Sequence, residues 1–279
     1  MTLGPKTKIM GILNITPDSF YAESRFPGTE EAVSRGIQLV EEGADMLDIG
    51  GESTRPGSKP VSIDEEISRV LPVIRGLAQK TNIPLSVDTV KSSVARLAAE
   101  AGAAVLNDVS GLRFDPDLAL VAAEYGTALI LGHLRGLPPS LCLYPPSADI
   151  MMEVNRGLRD SIELSLHHGV RPDQIILDPG IGFGKDALEN LIILNRLEEI
   201  GRLGFPVMVG VSRKRFIGRI AGLAEPADRL PGSIAAGVAA IFHGAAILRV
   251  HDVAATCQAA RITDAILEAT TKSSTPASL

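Results

Sequence analysis

The chain has 279 residues, a formal net charge of -6 and only two cysteines, Cys142 and Cys257. The length suits one α/β barrel domain, which commonly takes about 250 residues, and the two cysteines share no spacing for a disulfide framework or a zinc site. The mild acidity excludes the basic field that nucleic acid needs, and no apolar run has the character of a membrane span, so neither partner is expected.

In chain order, Lys6 and Lys8 lead at once into the apolar run MGILN, ending at Asn14. No apolar segment of signal-peptide length precedes it, so a cytoplasmic location is expected. A helix is predicted near 29–43, then the strand MLDIG with Asp48, a helix near 64–80, and PLSVD ending at Asp88. A helix near 91–102 leads to AAVLND, carrying Asn107 and Asp108, and a helix near 116–125 leads to ALILGH, ending at His133. The Pro-rich stretch from Gly136 to Ser147 reads as a long loop, followed by a helix near 150–168 and the strand IILD, ending at Asp178. A helix near 186–203 precedes VMVGVSRK, with Ser212 to Lys214 at its exit. A helix near 231–243, the run AAILRVH with Arg249 and His251, and a helix near 252–270 complete the core.

Eight apolar runs alternating with helices predict a (β/α)8 barrel of the TIM type, one α/β domain spanning 1–279, with its core over about 8–270 and a polar, frayed tail over 271–279. Continuous Val, Ile and Leu runs suit strands buried on both faces, and glycines in EEGAD, EAGAA and HHGV sit where helix ends favour a left-handed residue. A doubly wound open sheet has a similar rhythm, but its Gly-rich fingerprint follows the first strand. Here Asn14-Ile15-Thr16-Pro17-Asp18 stands in that place.

In such a barrel the polar residues at strand C-terminal ends read as the active site. Asp48, Asp88, Asn107 and Asp178 form an acidic and amide group, and buried carboxylates need donors. A ligand with a guanidine-like edge would supply them; equally, Asp48 and Asp88 could cap loops or pair with Lys214 and Arg249. Ser53-Thr54-Arg55-Pro56-Gly57, Ser212-Arg213-Lys214 and Arg249-Val250-His251 bring cations and hydroxyls, the chemistry of an anion site. The glycine-dense DPGIGFGK run is no Walker loop; its glycines permit close backbone approach beside Asp178. Ser212 lacks a nucleophile-elbow context, and Lys214 fits ligand binding as well as Schiff-base chemistry.

These residues resemble the dihydropteroate synthase family of pterin-binding barrels over about residues 8 to 265. Its motifs stand in order as MGILNITPDSF, DIGGESTRPGS, SVDT, NDVSG, DPGIGFGK, GVSRKRFIG and RVHDV. The resemblance implies condensation of 6-hydroxymethyl-7,8-dihydropterin diphosphate with 4-aminobenzoate, giving 7,8-dihydropteroate and pyrophosphate. It implies that Asp88, Asn107, Asp178 and Lys214 hold the pterin, with Asp48 in support and Phe183 beside them. Asn14 would contact Mg2+, and Thr54, Arg249 and His251 the phosphates. Phe20, Arg55, Pro56 and Lys214 would shape the aminobenzoate pocket near Ser212. Lys214, Arg55, Asp88 and Asp178 would carry catalysis, in a homodimer that sulfonamides inhibit as mimics of 4-aminobenzoate.

Two departures stand out. The family's first loop reads Thr-Pro-Asp-Ser-Phe-Ser-Asp-Gly-Gly, but here Ala22 replaces the second aspartate and Glu23 is adjacent. The family's Met-His-Met after the fifth strand is Gly132-His133-Leu134. Altered competition by sulfonamides is therefore expected. Two other readings stay open: a methyltetrahydrofolate:corrinoid methyltransferase, and a pterin-binding barrel without turnover.

Overall fold

A computed structural model of the chain describes residues 4, 6–15, 27–52, 60–136 and 145–273. Eight parallel strands form its centre: β1 (Lys8–Asn14), β2 (Met46–Gly50), β3 (Leu85–Asp88), β4 (Val105–Asp108), β5 (Ala128–Gly132), β6 (Ile175–Asp178), β7 (Met208–Val209) and β8 (Ile247–Val250). The hydrogen-bonded order runs β6-β5-β4-β3-β2-β1-β8-β7. A parallel bridge between Leu177 and Val207 joins the two ends, reinforced by Leu177 N–H donating to Pro206 O at 2.9 Å. The sheet thereby closes into the expected (β/α)8 barrel.

Around it lie α1 (Pro27–Glu41), α2 (Ile63–Ala78), α3 (Ser92–Glu100), α4 (Asp117–Tyr125), α5 (Ile150–His167), α6 (Ala187–Asn195), α7 (Glu198–Gly201), α8 (Arg215–Ala221), α9 (Leu230–Phe242) and α10 (Val253–Ser273). Local chemistry sets several of their starts. Ser62 caps α2 by accepting from Glu65 N–H, and Asp186 with Glu189 forms a capping box on α6. Gly126 ends α4 in the left-handed region, with φ 66°.

Three differences from the sequence reading concern helix boundaries. The helix expected near 186–203 breaks at Arg196 (φ -115°, ψ 24°); the turn carries Leu197 fully into the core, while the Arg196 guanidinium pairs with Glu199 at 2.6 and 3.0 Å. The short helix α8 follows β7 and stops at Gly222, whose φ is 70°. The last helix runs on to Ser273, past the boundary expected at 270. The apolar stretch from Ile234 to Val250 becomes the rest of α9, a turn and β8, and among the described residues no helix is long and apolar enough to cross a membrane.

Two apolar cores follow from strand alternation, because successive side chains face opposite sides of a strand. The larger core lies between strands and helices and includes Ile9, Leu13, Leu47, Ile49, Val87, Leu106, Leu129, Leu131, Leu177 and Leu248. A separate inner plug consists of Met10, Met46, Val105, Ile130, Ile176, Met208 and Ile247. It fills the lower barrel and forms the floor of whatever binds above.

Candidate active site

Stepping two residues up from the plug on β2, β4, β6 and β8 keeps the same face and changes the chemistry. Asp48 follows Met46, Asn107 follows Val105, Asp178 follows Ile176 and Arg249 follows Ile247. Ser86 pairs in register with Asp48, and Asp88 comes two residues later. Asn14, Gly50 and Asp88 are register partners across β1, β2 and β3, with glycine leaving the gap between the two polar side chains. The ring read from the sequence is thus brought together directly above the plug.

Arg249 organises that layer. Its Nε donates to Asp48 Oδ2 at 2.5 Å and its terminal nitrogen to Asp88 Oδ2 at 2.7 Å. Asn107 Nδ2 donates to the same Asp48 oxygen at 3.0 Å. Of the two possibilities left open for Asp48 and Asp88, the structure shows pairing with Arg249. Asp48 Oδ1 and Ser86 Oγ are buried without a protein partner, so the layer retains spare polar capacity below Asp88.

The second side of the site comes from β6 and β7. Asp178 Oδ1 accepts from Gly180 N–H at 2.8 Å. Lys214 Nζ lies 4.2 Å from the centre of the Phe183 ring, within cation–π range. Gly182 makes that approach feasible, since a Cβ there would come within 3.2 Å of Lys214 Cδ. Ser212 Oγ accepts from His251 N–H at 3.2 Å and lies 3.0 Å from His251 Nδ1. The hydroxyl is therefore engaged with His251, in keeping with a binding role.

Burial in this layer moves several protonation equilibria. It pushes the Asp88 carboxyl up to about 7, against the stabilising pull of Arg249. Asp178 is also raised by burial, opposed by the Gly180 N–H and by Lys214. Burial brings Lys214 down to about 8, with Arg249 adding to the shift and Asp178 and Asp88 opposing it. His251 falls to about 3 through burial and the nearby Arg249. It is a neutral imidazole near neutral pH, offering a hydrogen bond and no charge.

Alternation also separates residues that the sequence placed together. Asp108, next to Asn107, accepts from Ser110 N–H at 2.8 Å and Leu112 N–H at 2.6 Å, so it caps its own loop. His133 packs against α5, where a Cβ on Gly157 would lie 2.7 Å from its Cδ2. It turns away from the barrel interior, contrary to its reading as a ligand-facing exit. Arg213 forms a bidentate pair with Asp252 at 2.9 and 2.5 Å, which removes it from the anion-binding set. Thr54, Arg55, Pro56 and Phe20, with Ala22, Glu23 and Cys142, lie outside the described residues. Ser86 and Lys185 escaped the sequence reading; the first had a signal, standing two residues before Asp88 on a strand.

The model of the pterin binding enzyme family matches residues 10–251, and that span holds the whole layer. The chain belongs to the pterin-binding enzyme family. Within this family it is 44% identical over 263 residues to the dihydropteroate synthase of Synechocystis sp., covering 94% of this chain and 91% of that protein. The structure of Xanthomonas albilineans dihydropteroate synthase in complex with 7,8-dihydropteroate matches with a TM-score of 0.86 at 41% identity, over 96% of this chain and 95% of that one. The Yersinia pestis dihydropteroate synthase in a sulfonamide drug complex matches with a TM-score of 0.90 at 39% identity, over 96% and 97% of the two chains. For a pterin-binding enzyme, an acceptor-rich layer on an apolar floor is the expected chemistry.

Proposed function

We infer that the chain joins 6-hydroxymethyl-7,8-dihydropterin diphosphate to 4-aminobenzoate, forming 7,8-dihydropteroate and pyrophosphate. The observation that carries this reading is the Asp48–Asp88–Asn107–Asp178 layer facing Lys214, in a barrel whose relatives are dihydropteroate synthases. Those relatives set aside methyl transfer to a corrinoid. A flat heterocycle with a donor-rich edge would satisfy the carboxylates, and Lys214 would donate to its acceptor atoms. The Arg249 guanidinium plays the donor part toward Asp88. An incoming donor edge competes for that carboxylate and frees one face of Arg249 for the diphosphate.

The reaction breaks the bond between the exocyclic methylene and the diphosphate oxygen, and the electron pair leaves with pyrophosphate. The pterin ring spreads the resulting positive charge, and the carboxylate layer keeps that charge beside fixed dipoles. The aminobenzoate nitrogen then attacks the methylene and loses a proton. A neutral arylamine needs mainly positioning, so this step calls for no dedicated strong base. Arg249, neutral His251 and Thr54 are the groups we assign to the departing anion. Arg55, Phe20, Pro56 and Ser212 are assigned to the aminobenzoate side.

Mg2+ belongs to the same proposal. Among the described residues no group of three acidic, histidine or cysteine side chains could hold a metal alone. A single amide oxygen at Asn14, beside Asp88 across Gly50, fits an ion that keeps its waters and is carried mainly by substrate phosphates. When bound, the ion would neutralise charge on the leaving diphosphate. A homodimer through the late helices is supported by the exposed apolar side chains of Leu188, Leu191, Ile220 and Phe242. A cytoplasmic location is supported by Cys257, which is buried and unpaired.

Incubation with both substrates and a pyrophosphate assay tests the reaction. Stoichiometric release is expected; binding of the pterin diphosphate with no release would instead identify a barrel that holds pterin without turnover. Sulfonamides are assigned to the aminobenzoate side, with competition altered by Ala22. Sulfamethoxazole inhibition measured against the KM for 4-aminobenzoate checks this, and an ordinary sensitive ratio would remove the assignment.

A further inference from the structure

Lys185 is a buried cation that the reaction scheme above does not use. Its Nζ donates to three backbone carbonyls: His133 O at 2.9 Å, Gly180 O at 2.9 Å and Phe183 O at 3.2 Å. An ammonium has three donors, so this cage saturates it. The first carbonyl lies on the exit of β5 and the other two on the exit of β6. Both loops press together there: a Cβ on Gly180 would collide with the His133 carbonyl and one on Gly184 with the Arg135 carbonyl.

The carbonyls belong to residues with direct ties to the pterin layer. Gly180 presents its N–H to Asp178 Oδ1 and its carbonyl to Lys185. Phe183 places its ring under Lys214 and its carbonyl on Lys185. His133 N–H donates to Asp178 O at 2.9 Å. Around the cage, Arg135 is neutralised by Glu153 at 2.8 and 2.9 Å and by Glu189 at 2.8 and 3.0 Å. Burial lowers the Lys185 ammonium to about 7, and Asp178 is the first group to oppose that shift.

We propose that Lys185 is a positioning residue of the pterin site. By bonding the His133, Gly180 and Phe183 carbonyls at once, its ammonium locks the β5 and β6 exits together. It thereby sets the Asp178 carboxylate and the Phe183 ring that Lys214 meets. The role rests on the pterin reaction proposed above and concerns one substrate of the two. The groups assigned to 4-aminobenzoate follow β1, β2 and β7 in the chain, and of the described ones Lys214 alone meets the braced loops, through the Phe183 ring. Loss of the brace therefore loosens the pterin side and spares the other.

Lys185→Met and Lys185→Gln in the full-length enzyme test this, with both KM values, kcat and thermal unfolding measured beside the wild type. Lys185→Met is expected to raise the KM for the pterin diphosphate by about tenfold or more and to leave the KM for 4-aminobenzoate within about twofold. Lys185→Gln, which keeps two donors without the charge, is expected to fall between it and the wild type. Equal changes in both KM values, or a pterin KM unchanged in Lys185→Gln and Lys185→Met alike, would overturn the proposal. So would failure of both variants to fold, because the residue would then serve the fold alone. A wild type that releases no pyrophosphate would instead count against the reaction itself.

Discussion

Met46 and Asp48 stand two residues apart on β2 and share one face, yet their surroundings are opposite. Met46 packs among Met10, Val105, Ile130, Ile176, Met208 and Ile247, where stability comes from apolar area removed from water. Asp48 meets Arg249 and Asn107, where burying charge costs stability unless each group finds a partner. One step along the pleat separates a layer that holds the barrel from a layer that loads it with ligand-ready charge. Substitutions in the two layers should therefore fail in different ways.

The largest effect is expected at Arg249, where the difference between the layers is most exposed. Arg249→Met leaves Asp48 and Asp88 buried without their cation, a loss of about 3–5 kcal/mol. Turnover should fall by roughly a hundred- to a thousandfold as well. Denaturant unfolding and a pyrophosphate assay measure the two losses. Retained stability would mean that Arg249 is not what balances the carboxylates.

Next come a plug variant and a layer variant of opposite signature. Ile130→Ala should cost about 2–5 kcal/mol while kcat/KM per folded molecule stays near the wild-type value. Asp178→Asn should do the reverse, lowering kcat/KM for the pterin diphosphate by roughly ten- to a hundredfold with stability unchanged or higher. If both variants lost stability and activity together, the two layers would be one mechanical unit.

Much of this division was legible in the sequence, and the reasons are specific. Eight Val-, Ile- and Leu-rich runs gave the barrel because parallel strands covered on both faces leave little else. Asp48, Asp88, Asn107, Asp178 and Arg249 could be picked out because each ends or nearly ends such a run. Which of two adjacent polar residues faces inward was not legible. Asn107 does and Asp108 does not; His133 packs against α5. Register settles that, and register is a property of closure. Lys185 was hidden for another reason: its three acceptors are backbone carbonyls, one of them 52 residues away in sequence, and carbonyls leave no mark on side-chain patterns.

The protonation equilibria sharpen the comparison further. Asp88 is raised to about 7 by burial, so in the free enzyme it becomes protonated below that pH and loses the charge and one of the two acceptor oxygens that a donor edge would meet. Lys214 is lowered to about 8 by burial, so it loses its proton above that pH and with it a donor. The kcat/KM for the pterin diphosphate, which reports the free enzyme, should fall on both sides of a maximum between these values. Asp88→Asn should flatten the acid limb. An acid limb that survives in that variant would belong to another group.

The smallest expected effect probes the boundary between the layers. Ser86 stands in register with Asp48, and its hydroxyl is fully buried with no protein partner. Most buried polar groups in folded proteins are hydrogen-bonded, and an unmet hydroxyl contributes a desolvation cost with nothing to offset it. Ser86→Ala removes that cost and retains the Cβ. Stability should stay within about 1 kcal/mol of the wild type or rise, and turnover should change little. A larger loss of stability would show that the hydroxyl has a bonded partner in solution. Unchanged stability with a raised pterin KM would place Ser86 with Asp48 in the ligand's reach, moving the floor of the site two residues lower on β3 than Asp88.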